Sequence, residues 1–251
     1  MVSLKPGEKL DDLMRKGLHI IQAQNLPKFG LEGVLLANYP VVKDGWKVCD
    51  LCTGTGIVPL LLTTRAADLQ ITGVELSPEL SDLARRSVEL NKLVNNIEII
   101  TGDVLNLKLP EGCWDLVTVN PPYFGLDCGS VSPHVLKARA RSQIGIGVLE
   151  VIRVAHTLLK IGGRLNLSYR AGGLPEVLSA FEEMNFGISR LRFVHHNSIC
   201  KASSLLLEAR KGVGTRMLVE PPLIIFQANG ELTSEMNFVY FEGRALESRA
   251  D

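Results

Sequence analysis

The sequence has no long apolar run, no cysteine framework and no excess of one charge. Its most apolar runs, residues 57–62 and 223–226, are far shorter than the about 20 residues that a membrane-spanning helix needs. The five cysteines are an odd number at irregular spacing, which is typical of a reducing compartment. Lys and Arg total 27, as do Asp and Glu, so a histone-like basic protein and an acidic tail are both excluded. Residues 1–17 carry charges throughout and lack the apolar core of a signal peptide, so we expect a cytoplasmic protein.

Short β-branched segments alternate with segments of helical period along most of the chain. This alternation predicts an α/β fold in which about seven strands form a mostly parallel sheet with helices on both faces. The predicted strands are residues 46–51, 70–75, 97–101, 116–119, 164–169, 190–195, 204–210 and 223–226. A helix is expected from Ser142 until Gly162-Gly163, and another over residues 172–185. With 251 residues and no linker, the chain is predicted to be a single domain.

A glycine turn follows the first clear strand, where residues 50–56 read DLCTGTG. Gly54 and Gly56 present no side chain and therefore let a ligand approach the backbone. Glu75 ends the next strand, 21 residues beyond Gly54, where a carboxylate accepts both hydroxyls of a ribose. Asp103 ends the third strand and is placed to bind an adenine amino group. Because the turn lacks the lysine of a phosphate-binding loop, the pattern favours adenosine without a phosphate.

The cysteine and histidine residues that lie close together in the sequence do not form a metal-binding motif. Cys49 and Cys52 have CxxC spacing, but no second pair stands at a usual distance for zinc. His195, His196 and Cys200 are interpreted as strand or loop residues. No metal site is predicted.

The tetrapeptide Asn120-Pro121-Pro122-Tyr123 ends the fourth strand. Together with the glycine turn, it resembles the class I S-adenosylmethionine-dependent methyltransferases that methylate amino groups on planar systems. The resemblance implies that the Asn side-chain oxygen and the first Pro carbonyl accept the two hydrogens of the target amine. Tyr123 would stack on the flat group, which is worth about 1 to 3 kcal/mol for a base. An exocyclic amine is a poor nucleophile, so two fixed acceptors help turn its lone pair toward the methyl group.

A Rossmann-like class I methyltransferase fold and S-adenosylmethionine as cofactor are therefore expected. Pro122 and Tyr123 complete the predicted catalytic set with Asn120 and Pro121. The predicted cofactor-binding residues are Asp50, Cys52, Thr53, Gly54, Gly56, Glu75, Leu76, Asp103, Val104 and Asn120.

Over roughly residues 10–240 the chain resembles the bacterial tRNA adenine N6-methyltransferases that modify the adenosine beside the anticodon of a valine tRNA. The segments that carry this resemblance are residues 20–22, 29–37, 50–56, 74–75, 102–103, 120–124, 158–164, 204–208, 222–226 and 230–233. It implies an N-terminal lid over residues 1–45, a catalytic core over 46–211 and a C-terminal extension over 212–251. RNA is the expected partner, and the resemblance implies that this RNA is a tRNA.

Basic residues cluster after the tetrapeptide. Between Val131 and Arg170, seven basic residues stand against one acidic residue. The predicted RNA-binding residues are Phe124, Lys137, Arg139, Arg141 and Arg170. Of these, Lys137, Arg139 and Arg141 directly follow the catalytic loop and are expected to bind phosphates beside a splayed base.

The chain departs from the family pattern at three places. Cys52 and Glu32 stand where the family usually has glycine and aspartate, and Ser142-Gln143 follow the basic loop where the family tends to have His-Glu. Three alternatives stay open: a protein glutamine N5-methyltransferase, a ribosomal RNA guanine N2-methyltransferase, and a non-catalytic module that binds RNA or the cofactor. The sequence leaves monomer and homodimer equally open.

Overall fold

The computed structural model describes residues 2–121 and 147–241. In chain order the strands are β1 (Glu8–Asp12), β2 (His19–Ala23), β3 (Lys47–Leu51), β4 (Gln70–Glu75), β5 (Ile97–Thr101), β6 (Trp114–Val119), β7 (Leu159–Arg170), β8 (Phe186–His195), β9 (Ala202–Lys211), β10 (Leu218–Val219) and β11 (Leu223–Ile224). The helices are α1 (Leu31–Asn38), α2 (Ile57–Leu62), α3 (Pro78–Leu90), α4 (Val148–Leu158), α5 (Leu174–Glu183) and α6 (Ser234–Phe241).

A mostly parallel sheet of nine strands forms the centre of the molecule. Its order is β10-β8-β9-β7-β6-β3-β4-β5, and β11 also pairs with β8. Every neighbouring pair is parallel except those that include β9, which runs antiparallel to β7 and β8. The predicted class is confirmed, and the predicted count of seven corresponds to the long strands β3 to β9. Of the two additional strands, β11 lies within the segment predicted as a strand over residues 223–226, whereas β10, only two residues long, was not predicted.

Helices cover both faces of this sheet, as predicted. Strand residues alternate between two hydrophobic clusters, so that Val48 of β3 packs with α1, α2, α3 and α6, whereas Cys49 packs with α4 and α5. The helix after β4 begins as its sequence suggests, because the Ser77 hydroxyl accepts a hydrogen bond from the Leu80 amide at 3.2 Å.

Two predicted boundaries were wrong. Gly162 and Gly163 do not close the helix before them, since the helix ends at Leu158 and β7 already starts at Leu159. Leu159 pairs with Trp114, and the next pair joins Leu116 to Arg164, so the register shifts by extra residues in β7, where Gly162 takes a φ of 76°. The segment predicted as one helix over 172–185 contains a 3₁₀ turn, Ala171–Gly173, followed by α5.

The N-terminal residues form elements that their sequence did not indicate. β1 and β2 make a separate antiparallel hairpin that lies against α3. Arg86 of α3 forms an ion pair with Glu8, and the Ile21 amide donates to the Ser87 hydroxyl at 2.9 Å. α1 packs on α2 and on β7. Within the described ranges, no helix is long and apolar enough to cross a membrane.

Candidate active site

The predicted site residues converge because the chain reverses its order in the sheet between β3 and β6. From β3 the chain moves outward through β4 and β5, and then returns to place β6 on the other side of β3. All four strands are parallel, so their carboxyl ends meet at one edge of the sheet. Ligands of open α/β sheets bind at such a switch point. The glycine turn, Glu75, Asp103 and Asn120 each follow or end one of these strands.

Positive φ angles explain the composition of the glycine turn. Gly54 and Gly56 have φ values of 58° and 87°, and Gly56 directly precedes α2. No atom lies within 4 Å of the position that a Cβ on Gly54 would occupy, so its backbone is open to a ligand. Cys52 also has a positive φ, 62°, which is uncommon for a residue with a side chain. The structure thus gives the physical reason why glycine suits this position better.

Glu75 is held in place by the backbone of two loops. Its Oε2 accepts a hydrogen bond from the Gly54 amide at 2.8 Å, and its Oε1 accepts one from the Ser77 amide at 2.9 Å. Burial raises the pKa of Glu75, and these amide hydrogen bonds work in the opposite direction. Each carboxylate oxygen retains lone-pair capacity beyond its amide bond, as ribose recognition requires.

Asp50 is the most deeply buried acid of the site, at 1% exposure. Its Oδ1 accepts a hydrogen bond from the Thr118 hydroxyl at 2.6 Å, whereas its Oδ2 has no partner in the described ranges. Burial raises the pKa of Asp50 to about 7; the charge of Glu75 adds to this and the Thr118 hydrogen bond opposes it. A buried carboxylate with one unpartnered oxygen suits a cationic group of a ligand.

Leu76 and Asp103 border the same edge. The Leu76 side chain is 51% exposed although it is apolar and directly follows Glu75, which leaves it available to pack on a flat ring. Asp103 accepts hydrogen bonds from the Leu105 amide at 3.0 Å and from the Asn106 side chain at 2.7 Å, so it also shapes its own loop. Val104 is buried beneath them.

Asn120 follows the last residue of β6, beside the glycine turn. Its Oδ1 is shielded from solvent and has no hydrogen-bond partner among the described residues. Pro121 is buried next to it. The remaining predicted acceptor-side residues lie outside the described residues: Pro122, Tyr123, Phe124, Lys137, Arg139 and Arg141.

A row of polar side chains on adjacent strands extends from the site across the sheet, and the sequence analysis did not predict it. Asp50 lies beside Thr118, Thr118 beside Asn166, Asn166 beside Glu208, and Glu208 beside Arg190. All five side chains point to the face that α1 covers, because their apolar neighbours belong to the opposite cluster. The available signal was a single polar residue inside an otherwise apolar run, as at Thr118 and Glu208.

Three of the seven basic residues in the cluster are paired with acids from other elements. Arg153, Lys160 and Arg164 form ion pairs with Glu183, Asp115 and Glu208 respectively. The charges of these three residues are therefore balanced within the part of the chain that the structure describes. Arg170 does lie at the carboxyl end of β7, where it forms an ion pair with Glu176 at 3.4 Å.

The arrangement fits S-adenosylmethionine. An open glycine turn, a carboxylate for the ribose, a half-exposed leucine for the adenine and a buried acid for the amino group are present together. No group of three metal-ligating side chains occurs in residues 2–121 and 147–241.

Comparison with known proteins agrees with this assignment. A family model described as a methyltransferase domain matches residues 48–138. The structure superposes on a predicted O-methyltransferase, protein Atu636 from Agrobacterium tumefaciens, with a TM-score of 0.69 and 25% identity over 87% of this chain and 99% of that one. A TYW2 structure from P. horikoshii in complex with MeSAdo shares the fold alone, with a TM-score of 0.57 and 14% identity over 82% of this chain and 72% of that one. Fold and site together define a class I S-adenosylmethionine-dependent methyltransferase.

Sequence relatives narrow the class to a family. A protein from Histophilus somni strain 129Pt, named tRNA1(Val) (adenine(37)-N6)-methyltransferase, is 31% identical over 163 residues, which are 63% of this chain and 67% of the relative. A protein of the same name from Haemophilus influenzae strain PittEE is 30% identical over 224 residues, covering 87% of this chain and 91% of the relative. The chain belongs to the tRNA1(Val) (adenine(37)-N6)-methyltransferase family.

Proposed function

We propose that this protein transfers the methyl group of S-adenosylmethionine to the N6 amine of an adenine in tRNA, at the adenine beside the anticodon. The names of the relatives support the adenine and the tRNA. The observation that carries the proposal is Asn120 Oδ1 at the carboxyl end of β6, which has no hydrogen-bond partner in residues 2–121 and 147–241. A shielded acceptor without a donor is costly unless a ligand supplies the hydrogen.

The donor side of the proposed reaction relies on β3 and β4. S-adenosylmethionine, when bound, supplies an electrophilic methyl carbon on its sulfonium. Glu75 would accept the ribose hydroxyls while the Gly54 and Ser77 amides fix its carboxylate. Asp50 would receive the ammonium group through its unpartnered Oδ2. Leu76, Asp103 and Val104 would enclose the adenine.

The acceptor side relies on Asn120 and Pro121. Asn120 Oδ1 and the Pro121 carbonyl would each accept one hydrogen of the target amine and thereby orient its lone pair. The N6 lone pair so oriented would form the bond to the methyl carbon, while the bond from that carbon to sulfur would break and leave its electron pair on sulfur. The methylated nitrogen then releases a proton to water, so no strong base is needed. Pro122 and Tyr123 complete this set in the proposal.

We also propose that residues 1–45 act as a lid, residues 46–211 as the catalytic core and residues 212–251 as an extension. A contact at the start of α2 supports the lid: a Cβ on Gly33 of α1 would lie only 2.8 Å from the Ile57 side chain. Ile57 directly follows Gly56 of the glycine turn. α1, with Glu32 in its first turn, is therefore packed beside the donor residues.

The test is incubation of the pure protein with labelled S-adenosylmethionine and, separately, total tRNA, ribosomal RNA and release factors. Nucleoside and peptide mass spectrometry then identify the labelled product. We expect N6-methyladenosine in tRNA. Label found only in glutamine or in N2-methylguanosine would contradict the proposal.

A variant tests the role of Asn120. Asn120→Ala removes the acceptor atom, so we expect turnover to fall about a hundredfold while the affinity for S-adenosylmethionine changes little. Asn95→Ala, in the exposed loop before β5, is the matched control and should keep wild-type turnover. Loss of cofactor binding in Asn120→Ala would mean that the acceptor pocket lies elsewhere.

A further inference from the structure

The loop between β8 and β9, residues 196–201, lies at the same edge of the sheet as the active site. β8 is parallel to the site strands, so its carboxyl end points to the edge where Asn120 lies. Ser204 of β9 is beside Arg170 on one side and Val194 on the other, which places the loop just beyond Arg170. Three strand spacings separate β6 from β8, or about 14 Å. Nucleotides that flank the target base, rather than the target itself, would reach this loop.

The loop has a defined shape that holds its tip in solvent. Asn197 Oδ1 accepts hydrogen bonds from the amides of Ile199 at 3.2 Å and Cys200 at 3.0 Å. His195 Nδ1 and the Cys200 carbonyl oxygen are 2.7 Å apart across the loop. This local turn leaves the Ile199 side chain 91% exposed, the highest exposure of any large apolar residue in the described ranges.

The surface around the tip combines aromatic rings with positive charge. The ring of His196 lies 4.8 Å from that of Phe226, centroid to centroid, and His196 itself is exposed. Lys201 is also exposed, and the segment from His195 to Ser204 contains no Asp or Glu. Histidine and phenylalanine rings with an adjacent lysine are the groups on which unpaired bases stack and phosphates bind. The nearby turn after Phe226 carries Glu231, which accepts a hydrogen bond from the Asn229 side chain.

We propose that His196, Ile199, Lys201 and Phe226 form an RNA-docking surface that holds nucleotides flanking the methylated adenine. This inference rests on the proposed function. Its chemistry is a cation for one phosphate, the exposed ring of His196 backed by the half-buried ring of Phe226 for one base, and an apolar tip for ribose or base contact. The surface is separate from the cofactor residues, so it affects the affinity for RNA and not that for S-adenosylmethionine.

The test compares variants at this edge with matched variants at the opposite edge. Lys201→Glu and Ile199→Ser remove the charge and the apolar tip of the loop. Lys43→Glu, before β3, and Ile161→Ser, near the start of β7, are the controls, and Ile161 is itself 75% exposed. Dissociation constants for tRNA are measured by fluorescence anisotropy at several salt concentrations, and methylation kinetics are measured with the same tRNA.

We expect Lys201→Glu to weaken tRNA binding about three- to tenfold and to lower the slope of log affinity against log salt by about one. His196→Ala should weaken binding about fivefold or more if a base stacks there. KM for tRNA should rise with kcat and the S-adenosylmethionine affinity unchanged, while both controls match the wild type. If the loop variants bind and methylate tRNA like the controls, the inference is wrong and the surface would suit a protein partner instead. A wild-type protein that methylates no tRNA would instead overturn the proposed function.

Discussion

The hydrogen bond from Thr118 to Asp50 gives a sharp test of how the donor site works. Thr118→Val replaces the hydroxyl by a methyl group of nearly equal size and removes the hydrogen bond that Asp50 Oδ1 accepts. A hydrogen bond to a charged group is worth about 1.5 to 3 kcal/mol. One pKa unit corresponds to about 1.4 kcal/mol, so the pKa of Asp50 should rise from about 7 by about one to two units.

The expected effect on cofactor affinity follows from the ionised fraction of Asp50. At pH 7.5 a carboxyl with a pKa of about 7 is roughly three-quarters ionised. The shift in Thr118→Val would leave about a quarter to a few per cent ionised, so affinity for S-adenosylmethionine should fall about three- to 25-fold. The loss should shrink as pH rises above 9, where the carboxyl is ionised again.

The assay is isothermal titration calorimetry of S-adenosylmethionine between pH 6.5 and 9.5, with Thr118→Ser as the control that keeps the hydroxyl. Thermal unfolding at pH 5 checks the fold under conditions in which Asp50 is protonated. If Thr118→Val and the wild type show the same pH dependence, Asp50 does not bind the cofactor through its charge.

The raised pKa of Asp50 also predicts how the free energy of unfolding depends on pH. The pKa of Asp50 in the folded protein is raised above its ordinary value of 3.8, so protonation favours the folded state. The contribution of Asp50 to the free energy of unfolding is largest below about pH 4, and it is lost as pH rises through about 7. In Thr118→Val this loss should extend to higher pH, which urea unfolding at a series of pH values measures.

Two further substitutions test the donor side. Glu75→Gln removes the charge and puts an NH2 group against either the Gly54 or the Ser77 amide. Binding of both S-adenosylmethionine and adenosine should therefore weaken about tenfold or more. Calorimetry that shows equal affinity for the variant and the wild type would exclude ribose recognition by Glu75. Cys52→Gly removes the energetic cost of the positive φ at this position, whereas Cys52→Ala retains that cost. Urea unfolding should therefore show the glycine variant to be more stable than the alanine variant by about 1 kcal/mol. The reverse order of stability would contradict the argument that the backbone is strained at Cys52.

Local patterns in the sequence were sufficient for the parts of the site that follow a strand. The turn at residues 50–56, Glu75, Asp103 and Asn120 each occupy a strand end, and parallel strands of one sheet bring their carboxyl ends together. β3 to β6 were recognised to within two residues because short β-branched runs bounded by polar or glycine residues have a clear period. The short strand β10 and the hairpin β1–β2 have no comparable period, and they were not predicted. Of the strand predicted over residues 223–226, only β11 forms, paired with β8.

The charge pattern shows where sequence reading fails. Arg153, Lys160 and Arg164 stand in one basic stretch, yet each pairs with an acid from another element. Lys201 stands alone in the sequence, yet it follows β8, whose carboxyl end lies at the edge where Asn120 lies. Charge along a chain predicts charge on a surface only when strand order keeps the residues together.

The sequence by itself therefore determined the class of fold, the glycine turn and the position of Asn120 at a strand end, because each is encoded by neighbours within a few positions. Tertiary structure alone decided that Thr118 donates to Asp50, that a polar row runs under α1, and that the β8–β9 loop lies at the same edge of the sheet as Asn120. Those contacts join strands from distant parts of the chain, and their register is set by the packing of the whole sheet.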